Sequence, residues 1–159
     1  MARPVTSFSP SASFLTLAAL LACLLCGAAV SAETPVAIEM IVKDPTPHHL
    51  RQVMLRGTVR QVHQLEPYFQ PSGMVCYGAY VFTLEDETGT LDIVVLGECG
   101  SGKTARAPDV SDGNRVIVRA NVQAPGRLGV FYGLDRRPIH ELTPQALHAI
   151  AREIVHIAQ

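Results

Sequence analysis

The segment Gly97 to Thr104, GECGSGKT, satisfies the pattern G-x-x-x-x-G-K-[ST] and follows an apolar run. Taken alone, this pattern describes a loop whose backbone N–H groups cradle a nucleotide phosphate, with Lys103 on the phosphates and Thr104 on Mg²⁺. The flanking residues oppose that chemistry. A working phosphate loop opens a helix whose positive N-terminus faces the anion. Here Ala105 to Asp109 include Pro108 and lead directly to Ser111, Asp112 and Gly113, which leaves hardly any room for a helix. No later apolar run ends in an aspartate placed to hold Mg²⁺. Nucleotide binding is therefore a secondary expectation, beside a plain Gly/Ser loop between strands.

The six histidines invite a metal reading. His48 and His49 are adjacent, His63 stands alone, and His140, His148 and His156 are too spread to share an ion. No His or Cys spacing matches a structural zinc site, so neither metal nor cofactor is expected. A Ser, His and Asp triad is recognised by spatial geometry, and the sequence marks none; a non-enzymatic protein is expected. What remains are cations and aromatics: Arg56 and Arg60, Tyr68 and Phe69, Arg119, and the group Arg127, Phe131, Tyr132, Arg136 and Arg137. Cations beside aromatics suit a single-stranded nucleic acid, whose bases stack and whose phosphates pair. The same arginines also serve as ordinary solvated surface charge.

Residues 1–32 read as a secretory leader: Arg3 is the only charge before Glu33, and Phe14 to Val30 is almost unbroken in Leu, Ala and Cys. The small pair Val30 and Ala32 suits cleavage after Ala32. Leu20, Leu21, Ala22 and Cys23 also resemble a lipobox, which would make Cys23 an acylated first residue and the protein a membrane-anchored lipoprotein. The run is shorter than the ~20 apolar residues of a spanning helix, so no stable membrane span is expected after cleavage. The chain is expected to be exported, periplasmic or secreted. Residues 33–159 then have the size of one domain. Lys and Arg number 13 against 14 Asp and Glu. That balance gives no general attraction to nucleic acid or acidic membrane.

Several elements must position these residues. Residues 33–49, broken by Pro35, Pro45 and Pro47, read as an extended arm on the surface, with Val36 to Val42 a strand or part of that arm. Gln52 to Val62 alternates as a half-buried strand, with Val53, Leu55, Gly57 and Val59 on one face. Leu65 to Val75 is irregular, and its aromatics form either a binding edge or a cover for the barrel end. Tyr77 to Leu84 and Thr90 to Leu96 are the clearest strands, joined by the acidic turn Glu85 to Gly89. Centring that hairpin between Glu87 and Thr88 sets Leu84 opposite Leu91 and Cys76 opposite Cys99. In an exported domain two such cysteines form a disulfide. Val116 to Val122 alternates again, and Val130 to Leu134 with Pro138 to Leu142 make a broken fifth strand. Thr143 and Pro144 then open a helix whose stripe is Leu147, Ile150, Ala151, Ile154 and Val155.

The expected fold is therefore all-β, a small five-stranded Greek-key barrel with a C-terminal helix over residues 143–159. The run Val53 to Val59, the hairpin YVFTLEDETGTLDIVVL and the run Asp112 to Val118 resemble the OB-fold family, most closely its anticodon-binding-like branch and the bacterial exported OB-fold proteins. The resemblance covers about residues 50–142. It implies binding on the outer face of the second and third strands, framed by the neighbouring loops. With Tyr80, Phe82 and Leu84 inward, that face presents Val81, Thr83 and Val94, apolar and acidic rather than aromatic and cationic. It suits a protein or peptide partner, or cover by the N-terminal arm. Single-stranded nucleic acid is the alternative ligand that the resemblance implies.

Overall fold

The computed structural model describes residues 33–126, 132–139 and 146–158; the expected leader, with Cys23, lies outside them. Strand β1 (Gln52–Gln64) is long enough to serve two neighbours. Its first half pairs with β7 (Arg115–Gln123) and its second with β4 (Tyr80–Glu85), the two sharing Thr58. Beside that switch, a Cβ on Gly57 would lie 2.5 Å from the Glu85 carbonyl oxygen, so no side chain fits there. The strand then bulges between Arg60 and His63, with Gln61 at positive φ. Asp112 accepts the freed Gln61 and Val62 N–H groups at 3.1 and 3.0 Å. These two hydrogen bonds are the main reason its carboxyl is held below the ordinary aspartate value.

The hairpin of β4 and β5 (Thr90–Val95) has the expected register, Leu84 opposite Leu91. Tyr80, Phe82, Leu84, Leu91 and Ile93 join Val53, Leu55, Val59, Val116 and Val118 in one buried cluster. The barrel closes in the order β1-β4-β5-β9-β7, so it has no free edge.

The closing strand, β9 (His148–His156), occupies residues expected to be helical. It runs parallel to β5 and antiparallel to β7, where the register slips between Arg119 and Ala120. Val118 faces Ile154, whereas Ala120 faces Ala151, so Arg152 is an extra residue. That bulge changes the inward parity, and Leu147, Ala151 and Ile154 pack on the core at a spacing that imitates a helix. The fifth barrel strand is thus β9. Among its described residues the expected broken strand contributes the two-residue β8 (Tyr132–Gly133) and a bridge to Pro138, both outside the barrel.

The N-terminal arm is also corrected. Ile38–Lys43 is a short helix, α1, whose Ile38 and Ile41 are fully buried in the barrel core. The acidic hairpin turn holds it: Ile38 N–H donates to Asp86 at 2.9 Å and Glu39 N–H to the Thr88 hydroxyl at 3.0 Å. This supplies the start signal that the helix's own N-cap, Ala37, lacks. Burial alone would raise the Asp86 carboxyl. The Thr88 hydroxyl and the N–H groups of Ile38, Thr88 and Gly89 outweigh burial and lower it.

A second, smaller sheet is built from the loops, in the order β6 (Glu98–Cys99), β3 (Val75–Tyr77), β2 (Tyr68–Phe69), β8. Cys76 opposes Cys99 as expected, and the two form a disulfide. Two- and three-residue strands have little stability of their own. What holds this sheet is the disulfide and a satellite core of Leu65, Tyr68, Cys76, Ala79, Val81 and Val94.

Two outcomes are expected. Cys76→Ser with Cys99→Ser removes a closure across 23 residues, a loss of about 3 kcal/mol on the loop-entropy scale. Amide exchange should then accelerate around Tyr68 and Val75 while β7 and β9 stay protected. Asp86→Ala should cost about 1 kcal/mol as a lost helix cap. Because the Asp86 carboxyl is lowered in the fold, its contribution is complete above the ordinary aspartate value and disappears as pH falls through the lowered one. The wild-type minus variant difference in urea unfolding should therefore shrink between about pH 7 and about pH 3.

Candidate binding face on the loop sheet

The outward side of β4 and β5, expected to be a binding face or to lie under the N-terminal arm, is covered by the loop sheet. Val81 is 6 % exposed and Val94 fully buried, both packed with Leu65, Tyr68 and Cys76. Tyr68 is fully buried too, so it serves as cover and not as a binding edge. The physical cause is the apolar character of Ala79, Val81 and Val94, which long loops fold back to bury. Thr83 alone of the three expected face residues keeps some exposure, and its hydroxyl donates to Asp92 at 2.9 Å.

Covering one face creates another. Tyr68 pairs with Cys76 and Gly133 on the inner side of the loop sheet, so the adjacent row, Tyr132, Phe69 and Val75, points outward. Phe69 is directly opposite both Val75 and Tyr132, an aromatic pair continued by a β-branched residue. Tyr132 is 45 % exposed. The row ends at a shallow basin of about 260 Å³ lined by Met74, Val75, Tyr77 and Gly100 to Lys103. Beyond Tyr132, a tight turn carries Arg136 at positive φ, its N–H donating to the Gly133 carbonyl. Phe69 and Tyr132 are therefore brought together as directly opposed residues, and Arg136 lies in the turn that follows Tyr132, while Arg127 and Phe131 lie outside the described residues.

The other arginines are dispersed. Arg119 is held between Glu33 at 3.5 Å and Glu153 at 3.1 Å, far from a free cation. Arg60 pairs with Glu85 at 2.7 Å. Arg56 has no ion pair among the described residues and borders a separate groove with Arg60 and Arg115. The phosphate-loop-like segment is an edge strand and turns, with no helix before β7. Lys103 is engaged by Glu98 at 2.6 Å, which also lowers the Glu98 carboxyl. The segment thus lacks the helix N-terminus that phosphate cradling uses.

Sequence reasoning missed a polar recess of about 160 Å³ where Thr83 and Asp92 meet His63 and His148. Its signal was hidden because His148 was assigned to a helix; in β9 it sits directly beside Asp92. His148 is buried, and its Nδ1 hydrogen-bonds the Ala146 carbonyl at 3.0 Å; since a carbonyl only accepts, that nitrogen carries the proton. Burial pushes the imidazole pKa down against the opposing pull of the Ala146 carbonyl and Asp92. Among the described residues no three His, Cys, Asp or Glu are grouped to hold a metal ion.

Because the folded state lowers the His148 pKa, the unfolded chain binds the proton more readily. Stability is complete above the unfolded value and falls as pH drops below about 6.5. Thermal melts across that range should show the decline, and His148→Asn should flatten it.

No protein-family model matches the chain, and no curated protein is significantly similar to it.

Proposed function

We propose that this chain is an exported, non-enzymatic OB-type binding module that engages a protein or peptide partner through the outer face of its loop sheet. The OB reading is supported by the barrel order β1-β4-β5-β9-β7, with β9 parallel to β5 and antiparallel to β7, the closure expected of a five-stranded Greek-key barrel. Export is supported by the Cys76–Cys99 disulfide, which persists in oxidising compartments. Among the described residues no helix is long and apolar enough to cross a membrane.

The observation that carries the binding reading is the outward row Tyr132, Phe69 and Val75. Aromatic residues give large contact area at low entropic cost and dominate protein interfaces. The row also stands on a stapled sheet and not on a mobile loop, so little ordering is required on binding. Arg136, in the turn after Tyr132 and with no ion pair among the described residues, favours one second reading, a single-stranded nucleic acid stacked on Phe69 and Tyr132.

The test is a pull-down from native envelope with the mature domain and with Phe69→Ala plus Tyr132→Ala. A specific protein retained at high salt by the wild type, and reduced about tenfold or more by the double variant, is the expected result. Nucleic acid retained only at low salt would replace this reading with the second. Equal capture of the protein by wild type and variant would place the partner elsewhere.

A further inference from the structure

The groove bordered by Arg56 has an unusual charge arrangement. Thr58 lies at its floor between Arg56 and Arg60 on the same face of β1, with Arg115 of β7 and Glu85 of β4 directly across. Arg60 and Glu85 neutralise each other at 2.7 Å. Arg56 and Arg115 are both exposed and make no ion pair among the described residues, although they are diagonal neighbours of like charge, an arrangement that costs stability. Across the groove the hairpin turn supplies the acids. Asp86 is occupied in holding α1, while Glu87 is exposed and has no ion pair among the described residues. Opposite charges thus line two walls of one groove of about 560 Å³ without closing on each other.

From this we infer that the groove binds a small zwitterion of the phosphoethanolamine type, with its phosphate between Arg56 and Arg115 over the Thr58 hydroxyl and its ammonium against Glu87. Two guanidiniums and a hydroxyl suit a phosphate better than a carboxylate, which a single guanidinium fork satisfies. The acidic wall disfavours a polyphosphate or a nucleic-acid backbone and gives a primary ammonium its partner. The site is separate from the loop-sheet face and does not depend on it.

The experiment is an NMR titration of the ¹⁵N-labelled mature domain with O-phosphorylethanolamine, inorganic phosphate and ethanolamine, followed at Thr58, Thr88 and Arg115. Saturable shifts with O-phosphorylethanolamine, about tenfold tighter than with inorganic phosphate, are expected. Glu87→Gln should bring the two affinities together, Arg56→Ala with Arg115→Ala should abolish both, and Arg119→Ala should change neither. Vesicles with and without phosphatidylethanolamine then separate a lipid headgroup from a soluble ligand as the source. Equal affinity for inorganic phosphate and O-phosphorylethanolamine, or shifts that survive the double arginine variant, would overturn the assignment.

Discussion

The need to bury Val81 and Val94 on the outside of the barrel organises everything beyond the barrel itself. An apolar pair on the outer surface of β4 and β5 is unstable against water unless something covers it. The loops after β1, β5 and β7 supply that cover as four very short strands. Such strands do not persist alone, so Tyr68 fills the space beneath them and the Cys76–Cys99 bond fastens the β3 edge to β6. Once that sheet is fixed, its strand alternation forces Phe69, Val75 and Tyr132 outward. The same packing that closes one surface therefore produces the outward-facing row, Tyr132 exposed and Phe69 and Val75 half-buried, on which the functional reading rests.

A parallel economy operates at the hairpin turn. Asp86 closes the turn onto Thr88 and Gly89 and also receives the first N–H of α1, whose Ile38 and Ile41 complete the core. Asp112 does comparable work at the β1 bulge. Both carboxylates accept backbone N–H groups, joined at Asp86 by the Thr88 hydroxyl, and among the described residues Arg56, Arg115 and Glu87 make no ion pair at the groove.

The legible parts of this fold are those with local periodicity. The alternation of β1 and β7 and the hairpin register were readable because each strand keeps period two over its apolar residues, and the acidic turn set the sum of paired positions. That arithmetic carried through Gly78 to the cysteines. It failed where period two is interrupted. The extra residue Arg152 shifts β9 by one position and converts its apolar pattern into a helical one. The α1 helix carried no capping residue of its own, because its cap comes from Asp86, far away in sequence. Strands as short as β2 and β8 have no periodicity to read. For the site, Phe69, Tyr132 and Arg136 are visible as residue types, but the sequence leaves Tyr68 open between binding edge and barrel cover, and Val81 and Val94 open between binding face and cover by the N-terminal arm, because the short strands that bury them carry no periodic signal.

The measurement that addresses the central claim most directly is photo-crosslinking in the native envelope, with a benzophenone residue placed at Tyr132 on the loop sheet or at Thr83 on the barrel. Capture of a protein partner from position 132 and none from position 83 is the predicted result. Capture from position 83 alone would mean that the loop sheet opens and that the barrel face is the binding surface.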